Sequence, residues 1–245
     1  MTQFLPSHIM VALDVDELGQ VREMAHALRD TGVIFKVGNQ LGTYEGWQAV
    51  IEFARTHGAP IFCDTKFKDI PETVKKSARA ITRHQPDFFN IMADNSPEAL
   101  RAAVEGIDSA IADFNLSKRP ILLGVTVLTS IDDSTCQSIY GGASADKVLQ
   151  FASAAAEAGL DGVVCSAQEA SLLRSNPATK NLILVTPGIR PAWAVSGDQS
   201  RITTPKQAIT QGSDYLVVGR PITQPPDEIG SPQNAIKKIM EEIND

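Results

Sequence analysis

Eight short apolar runs, each followed by a stretch of helical periodicity, predict a (β/α)8 TIM barrel for this 245-residue chain. The runs are almost continuously apolar rather than alternating, which suits strands of a parallel sheet covered by helices. Their number and spacing fit one barrel, and no linker-like tract divides the chain, so residues 1–245 read as a single domain. A doubly wound open sheet is the alternative, but it rarely packs eight such units into so short a chain.

The predicted strands are IMVALD (9–14), VIFKVG (33–38), PIFCD (60–64), FFNIMA (88–93), ILLGVTVL (121–128), DGVVCS (161–166), LILVTPG (182–188) and YLVVG (215–219). About eight helices lie between and after them. DELGQVREMAHALRD places Leu18, Val21, Met24, Ala25 and Leu28 on one helical face. SPEALRAAVEGIDSAIADF opens with Ser96 as N-cap and Pro97 in the first turn. ADKVLQFASAAAEAG ends at Gly159, a C-cap, and SPQNAIKKIMEEI repeats the Ser-Pro opening at Ser231.

Hydrophobic residues make up 43% of the chain and charged residues 21%, as in a globular protein with a substantial core. A net charge of −7 without basic tracts argues against nucleic acid or an anionic membrane as the main partner. A small anionic ligand needs only a few local cations and stays open. Cys63, Cys136 and Cys165 are odd in number and lie in or near apolar segments, so they read as buried free thiols in a reducing cytoplasm. The N-terminus lacks the pattern of a signal peptide, and no stretch approaches the roughly 20 apolar residues of a membrane span.

Barrel chemistry sits at the C-terminal ends of the strands. Asp14 ends the first run, Lys36 lies near the end of the second, and Asp64 ends the third. Lys66 follows two positions later and shares a side with Asp64 if the strand conformation continues. Each has an ordinary use: Asp14 as a helix N-cap, Lys36 snorkelling at the sheet rim, the charges at 64–69 as solvated pairs. Three successive strands delivering ionisable groups to one rim favour a working cluster. On the other side, VTPGIRP (185–191) carries Gly188 and Arg190, and VVGRPIT (217–223) carries Gly219 and Arg220. Loops after strands seven and eight commonly build a phosphate site, with glycine backbone N–H groups and arginine forks as donors. AWAVSGDQSRIT, between them, is long enough for a mobile flap bearing Gln199. The four histidines (His8, His26, His57, His84) lack metal-ligand spacing, and no GxGxxG, P-loop or Ser/His/Asp pattern appears. The expectation is lysine-centred chemistry without metal or cofactor.

DTKFKDIPETV resembles the D-x-K-x-x-D-I-P-x-T motif of the orotidine 5′-monophosphate decarboxylase family. VALD, FKVG, VTVLTS, VVCSA, TPGIRP and VVGRPIT stand in that family's order over nearly the whole chain. The resemblance implies a barrel homodimer that converts orotidine 5′-monophosphate to uridine 5′-monophosphate, the last step of pyrimidine synthesis, without metal or cofactor. It implies a charged tetrad of Lys36, Asp64, Lys66 and Asp69, with Lys66 the acid that protonates C6. Asp69 and Thr73 would reach the partner subunit's site, while Asp14 and Lys36 bind the ribose hydroxyls and Thr129 contacts the pyrimidine. Arg190, Gln199, Gly219 and Arg220 would hold the phosphate. Lys68 is expected to be a solvated neighbour.

NIMADN (90–95) stands where many relatives have N-x-H-x-x-G, a departure expected to affect only that loop, and KVGNQ differs from the KVGKE of some relatives. Two rival readings fit the same residues. One is a magnesium-dependent sugar-phosphate decarboxylase or aldolase sharing D-x-K-x-x-D. The other is a catalytically silent barrel that binds phosphometabolites.

Overall fold

A computed structural model describes residues 4–194 and 203–244. In chain order the elements are β1 (Ile9–Leu13), α1 (Leu18–Ala27), β2 (Ile34–Gly38), α2 (Asn39–Glu45), α3 (Trp47–Thr56), β3 (Ile61–Phe67) and α4 (Pro71–Thr82). Then come β4 (Phe88–Met92), α5 (Pro97–Phe114), β5 (Ile121–Val125), α6 (Asp133–Tyr140), α7 (Ser144–Glu157), β6 (Gly162–Val164) and α8 (Ala167–Ser175). The last are β7 (Ile183–Thr186), α9 (Pro205–Thr210), β8 (Tyr215–Val218), α10 (Arg220–Thr223) and α11 (Pro232–Asn244). Single 3₁₀ turns cover Pro6–His8 and Ala192–Ala194. The strands pair in sequence order, all parallel, and β8 closes on β1. The predicted (β/α)8 barrel is the observed fold.

Strand alternation creates two cores. Ile9, Val11 and Leu13 point outward to the helices, whereas Met10 and Ala12 point into the barrel with Ile34, Phe62, Phe88 and Leu123. Continuing the inward parity past this apolar floor gives Asp14, Lys36 and Asp64 at the upper end. Register fixes their heights, since Ala12 pairs with Lys36, Lys36 with Phe62, and Gly38 with Asp64. One face of each strand therefore changes from oily to charged as it rises.

The expected caps are present. Ser96 Oγ accepts from Ala99 N at 3.2 Å, Ser231 Oγ accepts from Asn234 N at 3.2 Å, and Gly159 has φ +86°. Asp14 does not cap α1, whose N-cap is Glu17. The helices number eleven among the described residues rather than about eight, because short α2, α6 and α10 sit inside βα connections. α4 and α5 pack so closely that a Cβ on Gly106 would lie 2.3 Å from the Lys75 carbonyl oxygen, so only glycine fits there. This contact anchors α4, which begins just after the charged motif. No helix among the described residues is long and apolar enough to cross a membrane.

Candidate active site

A cavity of about 400 Å³ opens at the C-terminal mouth of the barrel, over the Phe62 and Val217 side chains. Asp14, Lys36, Asp64 and Lys66 line one side. Arg190, Gly219 and Arg220 line the other, and Thr129 lies on the rim. All eight of the predicted site residues that belong to these two groups or the rim thus meet in one space.

Asp64 is the hub. Its Oδ1 lies 2.5 Å from Lys66 Nζ and its Oδ2 3.1 Å from Lys36 Nζ. Lys36 also lies 3.7 Å from Asp14 Oδ1. The Lys36 and Asp64 side chains are 11% and 13% exposed, against 32% for Lys66, so Lys66 is the more open of the two lysines that line the cavity. Burial alone would raise the Asp64 carboxyl, but Lys36 and Lys66, with hydrogen bonds from Lys66 and Asn90, hold it below the ordinary carboxylate range. An ionised Asp64 in turn aims both ammonium groups.

β3 does not end at Asp64, as expected, but runs on to Phe67. Its continuation is tied residue by residue to the NIMADN segment. Asn90 Nδ2 donates to Asp64 Oδ1 at 2.7 Å, Thr65 Oγ1 donates to the Asn90 carbonyl at 2.5 Å, and the Lys66 N–H donates to Asn90 Oδ1 at 2.7 Å. Asn95 Nδ2 donates to the Phe67 carbonyl at 3.0 Å and Asn95 Oδ1 accepts from the Asp69 N–H at 3.3 Å. Lys68 is exposed, as expected, but it is also paired: its Nζ lies 2.6 Å from Oδ2 of Asp94, whose side chain is almost wholly buried. The segment therefore shapes more than its own loop; it grips every residue from 64 to 69. Asn90 was discoverable as the single polar residue in FFNIMA, whereas the roles of Asp94 and Asn95 depend on a loop contact that spacing does not reveal.

The opposite side of the cavity is built differently. Gly188 has φ +77°, a conformation that favours glycine, and it turns the chain after β7 so that Arg190 lines the cavity. Gly219 caps α10, and Arg220 is the first residue of that helix.

The profile of the orotidine 5′-phosphate decarboxylase / HUMPS family matches residues 7–239, nearly the entire chain. The chain belongs to that family. Among curated relatives, orotidine 5′-phosphate decarboxylase of Heliobacterium modesticaldum is 40% identical over 237 residues, covering 96% of this chain and 95% of the relative. The Vibrio cholerae enzyme of the same name is 43% identical over 217 residues, covering 88% and 91%. The crystal structure of orotidine 5′-phosphate decarboxylase from Lactobacillus acidophilus superposes with a TM-score of 0.81 at 33% identity, over 97% of this chain and 99% of that one.

Two residues implied by the family resemblance, Asp69 and Thr73, do not line this cavity. Asp69 is exposed, and its Oδ1 accepts from the Ile70 N–H at 2.7 Å; Thr73 is exposed on the first turn of α4. Gln199 and most of the expected flap lie outside the described residues. Cys63, Cys136 and Cys165 are free and buried, and burial pushes the Cys63 and Cys165 thiols well above their ordinary pKa. Cys165 lines the cavity, and thiols pushed up in this way, as at Cys63 and Cys165, are poor nucleophiles. Among the described residues, no group of three or more His, Cys, Asp and Glu side chains is placed to hold a metal ion.

Proposed function

We propose that the Asp64-centred array performs the family's decarboxylation with Lys66 as the proton donor. The protein is an orotidine 5′-phosphate decarboxylase, a carboxy-lyase of UMP biosynthesis, which converts orotidine 5′-monophosphate to uridine 5′-monophosphate and CO2. The observation that carries the residue assignment is the Lys66 ammonium held 2.5 Å from a buried carboxylate at the cavity wall.

The chemistry explains the need. When the C6–carboxylate bond breaks, CO2 leaves and the electron pair stays on C6, in the plane of the ring, where the π-system cannot spread it. A fixed cation beside C6 stabilises that pair as it develops, and one N–H proton of the ammonium then moves to C6. The amine of Lys66 recovers its proton from solvent. Electrostatic stabilisation and proton delivery reside in one group, so the reaction is proposed to need neither metal nor cofactor. Asp64, next to the departing carboxylate, adds repulsion to the bound ground state.

Asp14 and Lys36 are assigned to the ribose hydroxyls and Thr129 to the pyrimidine. Arg190, Gln199, Gly219 and Arg220 are assigned to the phosphate. The opposed placement of the two groups in one cavity supports this orientation. Asp69 and Thr73 are assigned to the site of a second subunit in a homodimer. Their exposure beside Ile70, an apolar side chain 66% exposed, supports a covered face there. Three buried, unpaired thiols support a cytoplasmic setting.

The test is ultraviolet monitoring of orotidine 5′-monophosphate turnover with excess chelator, wild type beside Lys66→Ala. The expected result is turnover by wild type alone, with uridine 5′-monophosphate still bound by the variant. Turnover by Lys66→Ala overturns the acid assignment, and loss of wild-type turnover on chelation overturns the metal-free mechanism.

A further inference from the structure

Asn90 lies in β4, beside the charged motif, and is completely buried. Both ends of its side-chain amide are engaged, Oδ1 by the Lys66 N–H and Nδ2 by Asp64 Oδ1, each at 2.7 Å. The reason lies in the backbone of β3. The ladder pairs Cys63 with Phe89 and next Phe67 with Ile91, so four steps along β3 match two along β4. The surplus residues cannot all find acceptors on the neighbouring main chain. Lys66, in the surplus, also has φ +48°, a left-handed conformation that a residue with a Cβ adopts only when its surroundings enforce it. The Asn90 side chain supplies the missing acceptor and, with the same amide, holds the carboxylate that aims the Lys66 ammonium.

We propose that Asn90 is a positioning residue for the decarboxylation. Its amide fixes the turn at Lys66 and the rotation of Asp64 together, so that Asp64 Oδ1 meets Lys66 and Oδ2 meets Lys36. The charged groups facing Asp64 are Lys36 from β2 and Lys66 from β3, with Asp14 beyond Lys36; the adjoining Cys63 is a neutral thiol. From β4 only the neutral amide of Asn90 faces it. The inference rests on Lys66 being the acid.

The discriminating variants are Asn90→Asp, which keeps the acceptor and replaces the donor with a second carboxylate, and Asn90→Ser, which shortens the side chain. For both, kcat should fall about 10- to 100-fold, the size of one lost hydrogen bond to a charged group, with binding of uridine 5′-monophosphate within about threefold of wild type. In Asn90→Asp the two carboxylates repel, so the acid limb of the kcat profile should also move to higher pH. A folded variant with wild-type kcat overturns the proposal. So does parallel loss of kcat and product binding, which a merely structural role produces. In wild-type enzyme, which needs no variant to fold, the Asn90 side-chain amide resonance should shift with pH in step with the acid limb of kcat. A resonance flat across that limb overturns it too. Failure of the underlying assignment is seen separately, as turnover by Lys66→Ala.

Discussion

Replacing Asp64 with asparagine keeps the side chain's shape and removes the anion shared by two ammonium groups. Lys36 would keep only Asp14, at 3.7 Å and on a side chain 69% exposed, and Lys66 would lose its 2.5 Å partner. Breaking a buried pair by deleting one member costs about 3–5 kcal/mol. Lys66 is a third exposed and is partly rescued by water, so the lower end, about 3 kcal/mol, is the expectation for Asp64→Asn at pH 7. The pH dependence gives a second reading. The folded-state carboxyl of Asp64 lies below its ordinary value, so the unfolded chain binds more protons in the window beneath about pH 4. The stabilisation is therefore complete above that value and is lost as pH falls through the folded pKa. Urea unfolding of the two proteins at neutral pH and through the acid range measures both effects. Their stabilities should differ at pH 7 and converge in acid. Equal stability at pH 7, or a gap that does not narrow in acid, refutes the account of Asp64 as the ionised hub.

Arg220→Ala removes a forked cation from the phosphate side, and kcat/KM for orotidine 5′-monophosphate should fall about 100-fold. A substrate lacking the phosphate should react equally well with both forms; unequal rates would place Arg220 in the chemistry at C6. The dimer assignment is tested by mixing Lys66→Ala with Asp69→Ala under conditions that exchange subunits. If Asp69 serves the partner's site, half the dimers are mixed and each carries one native site, so about a quarter of wild-type activity should appear. Activity no higher than the sum of the parent variants would return Asp69 to its own subunit.

Much of this architecture is legible in the sequence because a parallel barrel writes its strands as apolar runs. Inward parity then carries Asp14, Lys36 and Asp64 to the same mouth. The run ILLGVTVL shows where that reading overshoots: pairing stops at Val125, and Val127 is buried outside the strand. Apolar character marks burial, whereas strand ends are set by hydrogen bonding. β3 errs in the opposite direction. Asp64, Lys66 and Phe67 look like the start of a loop, yet the side chains of Asn90 in β4 and Asn95 just beyond it tie them to the sheet. The helices α2, α6 and α10 escape notice because seven, eight and four residues are too few for a clear amphipathic period. The roles proposed for Asp69 and Thr73 rest on resemblance alone, since neither lines the cavity.

The clamp on the motif also explains why charge can be held in so apolar a barrel. A buried ion pair is weak evidence for stability, because desolvation offsets the attraction and apolar residues of similar volume often serve better. Lys36 pairs in register with Phe62 and Asp64 lies one inward step beyond it, next to the apolar floor of the barrel. The charges persist at a place where the strand itself is irregular: the β3–β4 register shifts between Cys63 and Phe67, and Lys66 is left-handed. The irregular turn at Lys66 leaves its ammonium 2.5 Å from Asp64, and Asn90, Asp94 and Asn95 hold that shape from the neighbouring strand and loop. Local strain and buried charge therefore coincide because both serve the placement of one ammonium, and the hydrogen bonds that offset them come from the segment that departs from the usual family pattern.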